Sequence, residues 1–244
     1  MVDAHCHLFE AKDVGAEVQR FKDIGGTAIL CCGSDLESSR KSIELSEKYP
    51  DVYAAVGVHP ESVTKVPESE DYLKIVKDKV IAIGECGLDY RSGMTAQEKE
   101  FQKDLLLFNI ALAEKTKLPL VVHCRAAFED LFKVLDYSKV QMHCFTGNID
   151  QMQECVKRGW YISFGGILTF KSSHELREVA KQVPEDRLLI ETDSPYLAPE
   201  PVRGTVNTPA NVKIVAQTLA SVRGTSVEEI DRITSANFAK LFSV

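Results

Sequence analysis

The chain begins MVDAHCHLFE, in which two of its six histidines, His5 and His7, are separated by a single residue. Side chains alternate between the two faces of a strand, so Asp3, His5 and His7 would point to the same side of an extended segment. Histidines at this spacing are typical metal ligands. An exposed or merely hydrogen-bonded pair of histidines is the alternative, and the motif alone does not decide between the two.

Further side chains that can bind a metal stand at the ends of short apolar segments. They are His59 in VYAAVGVH, Glu85 in VIAIGE, His123 in LPLVVHC, His143 in VQMHCF and Asp193 in RLLIETD. Any one of them could be an ordinary structural residue. Five of the six histidines nevertheless occupy this kind of position, and only His174, in KSSHELREV, does not. This clustering favours a shared metal site.

The segments that carry these residues have the pattern of a (β/α)₈ barrel, also called a TIM barrel. Eight apolar segments are predicted as strands: residues 2–7, 26–33, 52–59, 80–85, 118–124, 140–145, 160–165 and 187–193. Amphipathic segments such as FEDLFKVLDYS separate them, which indicates a parallel sheet covered by helices on both faces. Eight such units in 244 residues predict a closed barrel rather than an open sheet.

After the last predicted strand, NVKIVAQTLASVRG and VEEIDRITSANFAKLF have the spacing of two extra helices. No internal repeat, low-complexity tract or linker divides the chain. Residues 1–244 are therefore predicted to form one domain.

In a barrel of this kind, the carboxyl ends of the strands meet at one face, where the chemistry takes place. Imidazoles and carboxylates without a thiolate pattern suit a catalytic Zn²⁺, Mn²⁺ or similar ion that keeps positions open for water, and Mg²⁺ is often accepted as well. The number of candidate ligands exceeds what one such ion needs. Two divalent cations that share a bridging carboxylate fit better.

The composition limits the partners of the protein. A formal net charge of −7 argues against a general nucleic-acid binder, because such proteins hold phosphates mainly with Lys and Arg. It does not exclude a phosphate substrate, since bound divalent cations can make a pocket locally positive. No apolar run approaches the roughly 18 residues of a membrane span, and no signal-peptide layout is present. We therefore expect a cytoplasmic protein that contacts no membrane and needs no obligate protein partner.

The seven cysteines do not predict a disulfide framework or a zinc ribbon, because their number is odd and no CxxC pair occurs. Four of them directly follow a candidate ligand and should therefore point to the opposite face of their strands: Cys6, Cys86, Cys124 and Cys144. We interpret these cysteines as small buried residues. Trp160, the single tryptophan, is interpreted as a core residue.

Six motifs in order closely resemble those of the TatD-type metal-dependent deoxyribonucleases, a branch of the amidohydrolase-like barrels. They are DAHCH at 3–7, GVHP at 57–60, GECGLDY at 84–90, HCR at 123–125, HCFTG at 143–147 and TDSPYLAP at 192–199. The resemblance extends to NTPANV at 207–212 and so covers nearly the whole chain. Single motifs of this kind are weak signals, but six in order are very specific.

The resemblance also implies how the ligands are shared between two metals. One metal would be held by His5, His7, Glu85 and Asp193, and the second by Glu85, His123 and His143, so that Glu85 bridges them. His59 would lie on the substrate side. Asp3 would orient a ligating imidazole, although it could equally be a simple hydrogen bonder at the start of its strand. The implied reaction is hydrolysis of DNA or another phosphodiester by a water that two metals activate.

Catalytic roles follow from what a phosphodiester requires. Asp193 is predicted to orient the attacking water and accept its proton, in addition to binding metal. Arg125, two residues after His123, is placed to offer a bidentate guanidinium to a phosphate. Asp89 and Tyr90 could line the pocket, although Asp89 could equally brace the following loop.

One stretch departs from the family pattern. The family usually reads RGKRNEPANV after the last strand, whereas this chain reads RGTVNTPANV, so Thr205 and Val206 replace two basic residues. Arg203 and Asn207 remain, and both are predicted to contact substrate. The loss of two cations should weaken the grip on a nucleic-acid backbone.

Two other classes of function are compatible with such a site. An amidohydrolase-like esterase, lactonase or deacylase would use the same metals. Many two-metal members of that superfamily bridge the metals with a carboxylated lysine on the fourth strand, however, and Glu85 stands there in this chain. A non-catalytic metal-binding or scaffold protein would not need open metal positions or a carboxylate available to orient water.

Overall fold

The computed structural model describes residues 1–244, and eight parallel strands are paired in chain order around the centre of the molecule. The strands are β1 Val2–Cys6, β2 Ala28–Cys32, β3 Val52–Val56, β4 Val80–Asp89, β5 Leu120–Arg125, β6 Val140–Met142, β7 Tyr161–Phe164 and β8 Leu188–Ile190. Backbone bonds from Asp193 N to His5 O (3.0 Å) and from His7 N to Ser194 O (2.7 Å) link the first and last strands at their carboxyl ends. This confirms the predicted (β/α)₈ barrel.

Nine helices surround the strands, and four short 3₁₀ turns lie in the connections. The helices are α1 Val14–Asp23, α2 Leu36–Lys48, α3 Ser69–Leu73, α4 Ala96–Thr116, α5 Phe128–Val134, α6 Ile149–Lys157, α7 His174–Gln182, α8 Val212–Arg223 and α9 Val227–Phe242. The last two are the extra helices that the sequence predicts. None of the nine is both long enough and apolar enough to cross a membrane.

Helix α9 packs against the amino-terminal ends of the barrel strands. Its Asn237 donates hydrogen bonds to the carbonyls of Glu185 (2.7 Å) and Leu188 (2.8 Å), where β8 begins. Phe238, Leu241 and Phe242 of the same helix join a buried cluster with strand residues such as Leu30 and Leu189. Apolar packing therefore fills the lower part of the barrel and leaves the opposite, carboxyl-terminal face for the site.

Several strand limits differ from those predicted, and the differences concern the site. Strand β4 continues to Asp89, so Glu85 lies within it. Its extension depends on Gly87, which pairs with His123, because a Cβ at this position would overlap the His123 carbonyl oxygen. Strand β3, in contrast, ends at Val56, and His59 therefore lies in a loop.

The cysteine prediction holds in part. Cys6, Cys86 and Cys124 are buried, whereas Cys144 is only half-buried, and both Cys124 and Cys144 line the cavity described below. For Cys144 the reason is that β6 already ends at Met142, and Cys144 adopts a φ of 43° instead of the extended conformation. Strand alternation therefore no longer applies at this residue. Trp160 is a core residue, as predicted.

A buried asparagine ties the loop that carries His59 to helix α4. Asn109 accepts a hydrogen bond from Val58 N (3.0 Å) and donates to Val58 O (3.1 Å) and Leu105 O (2.7 Å). We expect Asn109→Ala to lower the free energy of unfolding by about 1–3 kcal/mol, because Val58 would keep a buried, unpaired N–H and carbonyl. Urea unfolding measures this change.

The matched control is Asp104→Ala, at an exposed position of the same helix. This control should change the free energy of unfolding by no more than about 0.5 kcal/mol. An equally small change for Asn109→Ala would show that the Asn109 side chain does not anchor the loop.

Candidate metal centre and active site

A cavity of about 870 Å³ opens at the carboxyl ends of the strands. Five of the six predicted ligands line it, and His5, the sixth, lies fully buried beneath it. The ligands that line the cavity are His7, Glu85, His123, His143 and Asp193. Residues from five different strands or strand ends thus meet at one point, as the sequence predicts.

The first group of donor atoms lies around the Nε2 atoms of His5 and His7. His5 Nε2 lies 3.4 Å from His7 Nε2, 3.5 Å from Glu85 Oε2 and 3.5 Å from Asp193 Oδ1. His7 Nε2 lies 3.4 Å from the same Glu85 oxygen and 3.5 Å from the same Asp193 oxygen. Four ligands placed tetrahedrally at roughly 2.1 Å from a zinc ion would be about 3.4 Å apart. The spacing of these donors therefore fits a divalent metal.

The second group surrounds the other oxygen of Glu85. Glu85 Oε1 lies 2.9 Å from His143 Nε2 and 3.4 Å from His123 Nδ1, and these two nitrogens are 3.3 Å apart. Each oxygen of this single carboxylate thus faces a different set of imidazoles. This is the arrangement expected of a bridging ligand.

Hydrogen bonds fix the protons of three imidazoles on the side away from the centre. His7 Nδ1 donates to Cys32 O (2.9 Å), His143 Nδ1 donates to Glu191 Oε1 (3.0 Å), and His123 Nε2 donates to Asp89 Oδ2 (2.9 Å). The other ring nitrogen of each histidine therefore faces the centre, and it can offer a lone pair to a metal once its proton is released. The donor set thus fits a metal in orientation as well as in distance.

His59 has the opposite proton arrangement. Its Nδ1 accepts a hydrogen bond from Glu61 N (3.2 Å), so the proton of the neutral ring sits on Nε2, 3.6 Å from Glu85 Oε1. Burial, together with the nearby His123 and His143, lowers the pKa of His59 to about 4. At neutral pH, His59 is thus an uncharged donor that faces the cavity.

The electrostatics of the centre favour bound positive charge. Burial alone would raise the pKa of Glu85, but His143, His59 and His5 around it hold that pKa well below its usual range. Burial likewise opposes protonation of His143, yet Glu85 and Glu191 raise its pKa well above its usual range. The carboxylates therefore stabilise a cation at this point, whether it is a proton or a metal ion.

The sequence analysis missed Glu191, which orients one of the ligands. Glu191 is fully buried and accepts hydrogen bonds from His143, the backbone N–H of Cys144, Gln141 and Ser163. A usable signal was present in IETD, because residues 191 and 193 are two apart and both follow an apolar strand. Asp89, considered both as a pocket residue and as a brace, lines the cavity and holds His123.

Asp3 is a hydrogen bonder at the start of its strand and does not orient an imidazole. Its carboxylate accepts hydrogen bonds from Thr192 N (2.8 Å) and Thr192 Oγ1 (2.6 Å) and touches no imidazole nitrogen. The pairing of β1 with β2 shifts register between Asp3 and Cys6, so strict alternation does not carry across this segment. Asp3 instead joins β1 to the end of β8.

The predicted substrate-binding residues divide into two groups. His59 and Arg125 line the cavity, and the exposed Arg125 has Nη1 3.8 Å from Asp89 Oδ2. Three others do not line it. Tyr90 donates its hydroxyl to Asp130, Arg203 stacks on Phe170 with 4.0 Å from guanidinium carbon to ring centroid, and Asn207 is buried in hydrogen bonds to backbone carbonyls.

The role of Glu191 can be tested by metal titration. We expect Glu191→Gln to weaken the affinity for divalent metal by about 10–100-fold, because His143 would lose the anionic acceptor that sets its orientation and tautomer. Calorimetric titration of the metal-free protein with Zn²⁺ measures this affinity. The exposed Glu129→Gln serves as the control. Equal affinities for both variants would show that Glu191 does not support the metal centre.

Comparison with known proteins agrees with this geometry. The family described as TatD related DNase matches residues 2–243. The uncharacterized metal-dependent hydrolase YabD of Bacillus subtilis is 39% identical, over 100% of this chain and 99% of that protein. The 3′-5′ ssDNA/RNA exonuclease TatD of Salmonella typhimurium is 35% identical, over 96% of this chain and 94% of that protein.

A solved structure extends the comparison to the fold. The crystal structure of YJJV, a TatD homologue from Escherichia coli K12, superposes with a TM-score of 0.91 at 29% identity. The match covers 100% of this chain and 98% of that one. The family matches nearly every residue, the relatives align over nearly their whole length, and the solved structure has the same barrel. The chain belongs to the TatD family of metal-dependent hydrolases.

Proposed function

We propose that this protein is a nuclease that hydrolyses phosphodiester bonds in single-stranded DNA with two divalent cations. The observation that carries the proposal is the position of Glu85, whose two oxygens face two separate groups of metal-type donors. Bound there, two cations would polarise the phosphodiester and lower the pKa of the attacking water towards neutrality. Zn²⁺, Mn²⁺ and Mg²⁺ are the candidates, since imidazole and carboxylate sites accept all three.

The charges that line the cavity suit one phosphodiester. Five carboxylates and two guanidiniums leave three negative charges in excess when the histidines are neutral, and two divalent cations would convert this into one positive charge. The charged residues are Glu10, Glu61, Glu85, Asp89, Asp193, Arg91 and Arg125. A phosphodiester carries a single negative charge, so the loaded cavity and the substrate would be complementary.

The side chains of this protein supply the remaining steps. Asp193 directs Oδ1 towards His5 and His7, which leaves Oδ2 to orient a water and accept its proton. His59 directs its Nε2–H into the cavity and can donate to a phosphate oxygen or to the departing oxygen. Arg125 reaches the same space from the end of β5 and can bind a phosphate with two parallel hydrogen bonds.

Nucleic acid is the proposed substrate class because of the relatives and the charge balance together. One relative is named a 3′-5′ ssDNA/RNA exonuclease. Thr205 and the exposed Val206 stand where the family pattern has cations, so a long duplex backbone would find few partners there. These observations favour a single strand whose scissile phosphate enters the cavity.

The decisive experiment uses metal-stripped protein reconstituted in turn with Zn²⁺, Mn²⁺ and Mg²⁺. The substrates are 3′-labelled single-stranded DNA, a simple phosphodiester and a carboxylic ester. Shortening of the DNA that returns with metal would support the nuclease. Cleavage of the ester alone would contradict it and would identify the protein as an esterase, lactonase or deacylase that uses the same centre.

Two substitutions test the chemistry. Glu85→Ala removes the bridge and Asp193→Asn removes the proton acceptor, so each should lower kcat by several orders of magnitude while circular dichroism shows a folded barrel. Asp104→Asn, at an exposed position remote from the cavity, is the control. Turnover near that of the control in either variant would refute the two-metal mechanism.

Arg125→Ala tests the phosphate contact. We expect KM for single-stranded DNA to rise roughly tenfold with little change in kcat, because the guanidinium binds the phosphate before and during the reaction. Arg125→Lys keeps the charge but not the paired hydrogen bonds, and should give an intermediate KM. A loss confined to kcat would overturn the assignment of Arg125 as a phosphate-binding residue.

A further inference from the structure

The cavity has an apolar wall on the side opposite its arginines. Arg91 follows β4 and Arg125 is the last residue of β5, whereas Ile167 follows β7, and Tyr196 and Leu197 follow β8. In a barrel with strands in chain order, β8 lies across the centre from β4. The metal centre is therefore flanked on one side by two arginines, which lie close to Glu61 and Asp89, and on the other by what we call the apolar wall, Ile167, Tyr196 and Leu197.

Tyr196 dominates this wall and is held rigidly, although it is 49% exposed. Its backbone N–H donates to Asp193 O (2.9 Å), and its carbonyl accepts from Asn207 Nδ2 (2.7 Å). Its hydroxyl donates to the carboxylate of Glu10, at 2.8 Å from Oε2. The ring packs edge-on against His7, with ring centroids 5.8 Å apart. An aromatic ring fixed at these points beside a metal ligand presents a stable surface to whatever enters the cavity.

The loops that form the wall approach each other at a glycine. A Cβ added to Gly166 would overlap the carbonyl oxygen of Leu197, so only glycine permits this contact. Leu197 itself has a φ of 51°, a conformation that leucine rarely adopts. Ile167, the residue after Gly166, and Leu197 both line the cavity. Leu197 therefore keeps an unfavourable backbone conformation at the place where it forms part of the wall.

We propose that the apolar wall is a stacking site for a nucleobase next to the phosphate that is cleaved. The inference rests on the proposed nuclease function and adds how the site recognises a nucleotide. A nucleotide joins an anionic phosphate to a flat apolar base, and the cavity offers guanidinium groups on one side and an aromatic ring on the other, around one metal centre. Stacking of a base on an aromatic side chain accepts every base, because each has a π-face.

The bonding of Tyr196 also indicates what the wall does not do. The hydroxyl is already committed to Glu10, and burial together with this hydrogen bond raises the pKa of Tyr196 to about 12. The hydroxyl therefore does not serve to read the edge of a base. We expect similar kcat/KM values for substrates that end in each of the four bases.

The test compares base-containing and abasic substrates on the metal-reconstituted full-length chain. Four single-stranded oligonucleotides each carry one stable abasic residue, at the first, second, second-last or last nucleotide. The control oligonucleotide has all its bases. We expect the wild-type kcat/KM to fall by about tenfold or more for one of these abasic positions. That position also identifies which end of the strand enters the cavity.

Two variants then assign the effect to the ring. Tyr196→Leu removes the aromatic face, so the ratio of kcat/KM between the base-containing and abasic substrates should fall to near one. Tyr196→Phe keeps the ring and should keep the ratio. Thermal melting of both variants confirms that each is folded.

Several results would overturn the proposal. A wild-type ratio near one at every position, or an unchanged ratio in Tyr196→Leu, would each show that no base stacks on Tyr196 while hydrolysis itself persists. If metal restored no cleavage of any oligonucleotide, the proposed nuclease function would fail, and the base site would fail with it.

Discussion

The structure is organised around one buried carboxylate that two sets of imidazoles share. Glu85 is nearly inaccessible to solvent, and an unpaired anion at such a depth would be very costly. Its two oxygens therefore need partners from several strands at once, and only a closed ring of strands brings His5, His7, His123 and His143 to one point. The extension of β4 past Glu85 next to Gly87, and the backbone bonds that join β1 to β8, both serve this convergence.

The groups behind the ligands determine what the imidazoles can bind. Each of three imidazoles gives its outer proton to a fixed acceptor, namely the Cys32 carbonyl, the Asp89 carboxylate or the Glu191 carboxylate. His5 differs from these three imidazoles. Its Nδ1 is buried without a hydrogen-bond partner, and its ring stacks on His143 with ring centroids 3.9 Å apart. His59 is bonded through Nδ1 and so faces the centre as a donor. Proton placement thus separates His7, His123 and His143, which are predicted metal ligands, from His59, which is predicted to lie on the substrate side.

The sequence predicted the barrel and the converging ligands because both depend on short-range patterns. Apolar strands end in polar residues, and parallel strands bring those ends to one face. The failures have local causes that a pattern does not contain. A register shift in β1 places Asp3 on a different face from His5, and a positive φ directs Cys144 towards the cavity. Glu191 was missed because it lies within a segment with the pattern of a strand. The directions of Tyr90 and Asn207 depend on partners far along the chain, Asp130 and the Tyr196 carbonyl.

The groove next to the cavity is acidic, and this bears on how a polyanion would bind. This groove shares Thr146 and Ile167 with the cavity, yet it is lined by Asp150, Glu175 and Glu178 and by no Lys or Arg. A phosphate backbone laid along that groove would meet repulsion, whereas a phosphate within the metal-loaded cavity would be attracted. Affinity for a nucleic acid would then come from the few contacts around one phosphate rather than from a long basic track. Under this constraint the apolar wall gains importance, because stacking stabilises a nucleotide without requiring further cations on an acidic protein.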